Sequence, residues 1–299
     1  MKFTNKLNLP QYIVDWLSKD NYDYATTPNT LSATSLMKPV RPTILTARHG
    51  DKFEIDVSEL FASRFGNAVH DSIERIETPG VSKEQRIVRK LLIDGIEYTV
   101  TGKYDLLVEN DGIHTIRDIK TTSVWAYIYG GKDDDYKTQL SIYRWLLSET
   151  HQINPVAYID FFFTDWQSSK ARTEDNYPQH RIQPGYRIEL LPIDAIEAMI
   201  IEKLILLKEN QDVPDNELPE CTKEELWAEE DSFALYKIGN KRATKVFDNK
   251  ETAQQYQIAN DIKGYIQDRP GKVKRCKYCS AAPFCNQFKR LQEYKLIAD

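Results

Sequence analysis

Between Gly102 and Thr122 the chain reads GKYDLLVENDGIHTIRDIKTT. Asn110-Asp111-Gly112 is a strong hairpin signal, because tight hairpin turns need the left-handed backbone that Asn, Asp and Gly tolerate. The turn sets a register. Counted outward from it, Asp105 and Asp118 lie at similar distances, hence nearly opposite one another on strands about 4.8 Å apart. Asp118 and Lys120 are two apart on one strand and project to the same face. Two carboxylates so placed can share a divalent cation, and an ammonium beside it can orient an attacking water and stabilise charge growing on a phosphate. The same residues also fit an exposed hairpin with scattered charges, since Asp and Lys are mostly surface residues.

The flanking sequence predicts where other groups fall. LPQYIVDWLSKD reads as a short amphipathic helix, and SATSLMKPVRPTILTARHG as a turn with a helix start. Val57, Leu60, Phe61, Phe65, Ala68, Val69 and Ile73 recur at helical spacing, predicting a helix from Asp56 or Ser58 to about Ile76 whose apolar face holds His70 against a sheet. Glu74, one turn beyond His70, reads as a carboxylate supporting that histidine or, the favoured reading, as a helix-surface charge. Asp94-Gly95 and Asn110-Asp111-Gly112 divide RIVRKLLIDGIEYTVTGKYDLLVENDGIHTIRDIKTT into three β-rich runs, which predicts one antiparallel meander. A helix from about Tyr136 to Glu149 puts Gln139 and Tyr143 on one face. PVAYIDFFFTDW reads as a buried strand, and Pro192 to Asp194 opens a helix reaching about Asn210. Beyond a Pro- and acid-rich connection, Phe233 to Phe247 reads as a hairpin around Gly239-Asn240, and Asn249 to Ile266 as helical.

With 299 residues, 41% of them hydrophobic, the chain can bury one large core, or one with a smaller satellite. It has no apolar run long enough to cross a bilayer and no signal-peptide pattern at MKFTNKLNLPQYIVDWL, so the expectation is a cytoplasmic protein without a membrane partner. The net charge of -5 does not advertise nucleic-acid binding. It does not exclude it, because a metal-dependent nuclease gathers carboxylates at its centre and needs basic residues only along the substrate track. RIVRK (Arg86 to Lys90) and RPGKVKRCK (Arg269 to Lys277) are locally basic and equally suit solvated faces.

Four segments occur in an order that resembles the RecB-like branch of the PD-(D/E)XK nuclease superfamily. RFGNAVHDSIE resembles its G-x-x-x-H motif through Gly66 and His70, and GKYDLL its G-x-x-D motif through Gly102 and Asp105. DIKTT resembles the D-x-K-T motif through Asp118, Lys120 and Thr121, and QLSIY the Q-x-x-x-Y motif through Gln139 and Tyr143. The resemblance implies Mg²⁺ or Mn²⁺ held by His70, Asp105, Asp118 and the main-chain carbonyl of Ile119. It implies Lys120 as catalytic lysine, with Asp105, Asp118, Gln139 and Tyr143 completing the catalytic set. Gln139 and Tyr143 would orient the lysine or touch substrate.

All four cysteines, Cys221, Cys276, Cys279 and Cys285, lie in the last third of the chain. In a cytosolic protein that clustering favours a metal or cluster site over disulfides. Four thiolates serve a [4Fe-4S] cluster or a Zn²⁺ ion; buried cysteines without a ligand are the remaining reading. Zinc sites usually pair one C-x-x-C with another, and the isolation of Cys221 favours the iron–sulfur cluster. The closing C-x2-C-x5-C is also similar to the cysteine staple of some RecB-like nucleases. There the distant cysteine precedes the nuclease core, whereas Cys221 follows it.

These readings predict an α/β fold: a PD-(D/E)XK-like central mixed sheet flanked by helices, with a cysteine-bearing C-terminal extension. The expected partition is an N-terminal lead over 1–31, a RecB-like nuclease core over 32–212 and the extension over 213–299. The expected activity is metal-dependent hydrolysis of DNA, exonucleolytic on single strands or duplex ends, in recombination, repair or phage DNA metabolism. The alternatives are an inactive DNA- or protein-binding module on the same fold and a metal-dependent hydrolase of another substrate.

Overall fold

The computed structural model describes residues 2–19 and 27–298, so part of the expected lead over 1–31 lies outside the described residues. The chain begins with β1 (Lys2–Thr4), α1 (Gln11–Ser18), β2 (Thr30–Ser32), α2 (Ala33–Leu36), α3 (Val40–His49) and β3 (Glu54–Asp56). A 3-10 turn at Val57–Leu60 leads into α4 (Phe61–Glu74), then β4 (Val81–Lys83), β5 (Arg86–Ile93), β6 (Ile96–Lys103), β7 (Leu106–Asn110) and β8 (Ile113–Thr122). Next come α5 (Val124–Ile128), α6 (Asp133–Leu147), β9 (Val156–Phe163), α7 (Ser168–Thr173), β10 (Ile182–Glu189) and α8 (Ile193–Glu209). The chain closes with β11 (Ser232–Lys237), β12 (Lys245–Phe247), α9 (Lys250–Ala259), β13 (Gly264–Arg269) and α10 (Asn286–Glu293).

Two compact units result: Met1–Lys38 with Glu54–Lys208, and Pro39–Phe53 with Glu209–Asp299. The segment Pro39–Phe53, which the sequence reading included in 32–212, groups with the C-terminal unit. In the first unit a mixed sheet runs in the order β10-β9-β8-β7-β4, with β8 and β9 parallel and the other pairs antiparallel. The parallel pair needs a crossover, which α5 and α6 supply. A second sheet, β2-β6-β5, and the short parallel pair β1-β3 complete it. Helix α6 packs against β5 and β6 of one sheet and β10 of the other, and Leu140, Ile142, Trp145 and Leu147 are fully buried. Three aspartates in its first turn complement the helix dipole. This is the expected α/β arrangement of mixed sheets flanked by helices.

The expected single meander is instead two hairpins in two different sheets. β5 pairs with β6 and β7 with β8, but β6 and β7 part at Tyr104 and Asp105. The reason is that β4 occupies the outer edge of β7, pairing Val81 with Val108 and Lys83 with Leu106. β9 differs in degree from the buried strand expected: Ala157, Ile159, Phe161 and Phe163 point into the core while their neighbours are half-buried.

Helix α4 starts at Phe61, and its apolar face is not the buried one. Phe61 and Phe65 are exposed, and the buried side chain is Arg64, whose Nε donates to the Leu17 carbonyl at 2.8 Å. The side of α4 that meets β8 is occupied by Gly66, where an added Cβ would lie 3.0 Å from Thr121 Oγ1.

In the second unit β12-β11-β13 form an antiparallel sheet covered by α9, with Leu235, Phe247 and Ala253 between them. The helix expected to reach Ile266 ends at Ala259, because Asp261 takes a left-handed backbone (φ 47°) that turns the chain into β13. Buried Arg41 of α3 donates to the carbonyls of Leu218 and Pro219 and to Asn286 Oδ1. Among the described residues no helix is long and apolar enough to cross a membrane.

Gly102 on β6 faces α6 so closely that a Cβ would fall 2.8 Å from Leu146 Cδ1 and 2.9 Å from Tyr143 Cε1. Gly102→Ala is therefore expected to lower unfolding free energy by about 1–3 kcal/mol through overpacking, measured by urea denaturation.

Candidate active site

Each side chain of the candidate site is delivered by a different packing event. The close approach of α4 to β8 at Gly66 leaves His70, one turn further on, facing the strand ends. Its Nδ1 lies 3.0 Å from Glu84 Oε1 and 3.5 Å from Asp105 Oδ1. Asp105 stands at the break between β6 and β7, one step beyond the Leu106–Arg117 pair and so in register with Asp118. Its Oδ2 accepts the Ile119 N–H at 2.7 Å. Asp118 and Lys120 share a face of β8, with Lys120 Nζ 2.8 Å from Asp118 Oδ2. The ammonium also donates to Gln139 Oε1 at 3.3 Å, and Gln139 Nε2 donates to Tyr143 Oη at 2.9 Å. The two α6 residues thus reach the lysine as a chain of contacts. Glu74 is exposed, as its sequence position suggested.

These groups line a cleft of about 560 Å³. Burial, followed by the charge of Asp118, pushes the Asp105 carboxyl up to about 7, against the pull of His70, Lys120 and the Ile119 N–H. Burial works to lower the His70 pKa, but the Glu84 hydrogen bond and the charges of Asp105, Glu84 and Asp118 together raise it. Lys120 is likewise disfavoured as a cation by burial, yet Asp118 and Asp105 hold its pKa above the ordinary lysine value.

Glu84 is the residue that sequence reasoning missed. Its side chain is 10% exposed and bridges His70 to Lys103 Nζ, the latter at 2.6 Å. Burial would raise its pKa, but hydrogen bonds from His70 and Lys103 lower it. The backbone of Glu84 is left-handed (φ 49°), and its N–H donates to the Asp105 carbonyl at 2.9 Å. Few residues other than Gly adopt that conformation without local support. Nothing in the flanking Lys83 or Gln85 marks it. With His70 and Asp105 it forms a group whose potential ligand atoms all lie within 4.8 Å of one another.

The donor set fits a hard divalent cation. Carboxylate oxygens suit Mg²⁺ and Mn²⁺, and an imidazole is compatible with Mn²⁺. Asp118 Oδ2 is buried with the Lys120 ammonium 2.8 Å away as its charged neighbour, and a carboxylate oxygen so placed still has a lone pair to offer a cation.

In the second unit Cys221, Cys276, Cys279 and Cys285 line one cavity with Arg41 and Leu226. Cys221 reaches the others because buried Gln287 of α10 clamps its backbone, accepting the Cys221 N–H and donating to its carbonyl, both at 2.9 Å. Burial first, then neighbouring charges, push the Cys221 thiol up to about 12 and the Cys276 thiol to about 11. No three of these sulfurs all lie within 4.8 Å of one another.

The chain matches the family model of the PD-(D/E)XK nuclease superfamily over residues 46–286, and it belongs to that superfamily. Its members are metal-dependent nucleases that use divalent cations such as Mg²⁺ or Mn²⁺, which accords with the donor set in the cleft. A solved structure entitled "Crystal structure of SSO0001" is similar at 19% identity and a TM-score of 0.47, over 69% of this chain and 87% of that one. No curated protein matches.

A cation entering this cleft must displace the proton that Asp105 carries below about pH 7. Mn²⁺ affinity is therefore expected to fall as pH drops through 7, by about ten-fold per pH unit for each proton displaced. Titration calorimetry at several pH values, in buffers of different ionisation enthalpy, measures both the affinity and the protons released.

Proposed function

We propose that this protein is a divalent-metal-dependent deoxyribonuclease of the RecB-like branch that hydrolyses phosphodiesters exonucleolytically, at single-stranded or duplex ends, in recombination, repair or phage DNA metabolism. The observation that carries the reading is the position of Lys120, held between Asp118 and Gln139 with Asp105 alongside. A structural surface lysine has no need of two acidic neighbours and a dedicated amide.

In this reading Asp105, Asp118, His70 and the Ile119 carbonyl hold Mg²⁺ or Mn²⁺, and Glu84 steadies His70 through Nδ1. The bound ion supplies Lewis acidity and lowers the pKa of water. Lys120 orients the attacking water and offsets negative charge accumulating on the phosphate. Gln139 fixes the ammonium, and Tyr143 fixes Gln139.

Cleavage of end-labelled single- and double-stranded DNA with Mg²⁺ or Mn²⁺, with EDTA as control, tests the activity. Asp118→Ala and Lys120→Ala are each expected to lose at least about a hundred-fold in rate with an unchanged circular-dichroism spectrum. Full activity in either variant sinks the mechanism. Binding without cleavage by the wild type points to the non-catalytic module instead.

We further infer that Cys221, Cys276, Cys279 and Cys285 hold a [4Fe-4S] cluster that ties the C-terminal segments together. The convergence of all four cysteines on one cavity, Cys221 arriving from a distant segment, supports it. The half-buried Cys221 and Cys276 thiols, with their raised pKa values, also need a cation to become thiolate ligands. Anaerobically purified protein is expected to be brown and to contain iron and acid-labile sulfide; stoichiometric zinc in a colourless protein reverses the assignment.

A further inference from the structure

Helix α4 carries an aromatic stripe that the core does not use. Phe61 and Phe65, one turn apart, are 55% and 41% exposed, and Trp16 of α1 beside them is 42% exposed. The three rings touch in sequence: Phe65 stacks on Phe61 at 6.0 Å and 20°, and Trp16 meets Phe61 edge-on at 6.1 Å and 82°. Contiguous exposed apolar surface of this kind marks a binding site more often than an accident of packing.

Two observations say what binds there. The first is continuity with the candidate active site. Along α4 the stripe runs from Phe61 through Phe65 to Ala68, at i, i+4 and i+7, and both Ala68 and Trp16 line the cleft that ends on Asp118 and Lys120. The second is charge. Lys19 and Lys38 line the same cleft, both are exposed, and neither has a carboxylate partner among the described residues. Flat apolar faces followed by exposed ammonium groups suit a ligand with alternating bases and phosphates. A duplex keeps its bases stacked on each other, so only an unpaired strand can lay them on protein rings.

We propose that Trp16, Phe61 and Phe65 form a base-stacking subsite that receives a single-stranded polynucleotide and leads it into the cleft. The proposal rests on the nuclease reading for its ligand, and its test separates the two.

Fluorescence anisotropy of a labelled oligodeoxythymidylate, and of a blunt duplex of equal length, reads binding by the full chain in EDTA, where nothing is cut. The Phe61→Ala/Phe65→Ala variant is expected to bind the single strand about ten-fold more weakly while its duplex affinity changes less than two-fold, as about expected without stacking. Phe61→Tyr/Phe65→Tyr keeps the ring faces and restores binding; Phe61→Leu/Phe65→Leu keeps only the apolar bulk and does not. Should the alanine variant not fold, Trp16→Leu and the leucine variant are read in the same way. The subsite is overturned by no single-strand binding in the wild type, by unchanged affinity in the alanine variant, by equal loss on both ligands, or by full rescue with leucine. Adding Mn²⁺ distinguishes the two readings. Ring-dependent binding without cleavage sinks the nuclease and leaves the subsite standing, whereas cleavage indifferent to the rings does the opposite.

Discussion

One hydrogen bond between a side chain and the main chain organises the candidate site: Asp105 Oδ2 accepts the N–H of Ile119 where the two hairpins separate. A carboxylate at a strand break needs a donor if it is to be buried, and this one takes it from the strand that also carries Asp118 and Lys120. The bond therefore holds Asp105 in register with β8 although the ladder has already ended. Glu84 is drawn in by the same device, since its N–H completes the Asp105 carbonyl on the other side. The acidic groups and His70 come together because main-chain valences at one chain break are satisfied by its neighbours.

Concentrating charge in this way opposes folding locally. Asp105 and Asp118 repel one another, and in the protein alone Lys120 and His70 offset their charge while Lys103 pairs with Glu84. Such local conflict with the ordinary rules of burial is typical of functional sites. The rest of the first unit is conventional by comparison, with α6 buried between two sheets and contributing its Gln139–Tyr143 face to the cleft.

Much of this was legible in the sequence. The Asn110-Asp111-Gly112 turn sets the β7–β8 register that pairs Leu106 with Arg117 and leaves Asp105 and Asp118 adjacent. Alternation put Lys120 beside Asp118, and helical spacing joined Gln139 to Tyr143. What could not be read is equally specific. Glu84 depends on a left-handed backbone held by a distant carbonyl, which no local pattern encodes. The apolar residues of α4 have helical period, but period says nothing about whether the face is covered; Phe61 and Phe65 are not. The parting of β6 from β7 is decided by β4, a strand of three residues too short to announce itself. Cys221 meets the other cysteines through a glutamine clamp from α10 rather than through spacing.

The contact between Gly66 and Thr121 has a consequence for ion choice. An added methyl group at Gly66 would lie 3.0 Å from Thr121 Oγ1, so the missing side chain lets α4 approach β8 closely. With the helix this near the strand, an ion in the cleft would meet an imidazole from α4 beside the carboxylates, a mixed donor set that favours Mn²⁺ over Ca²⁺.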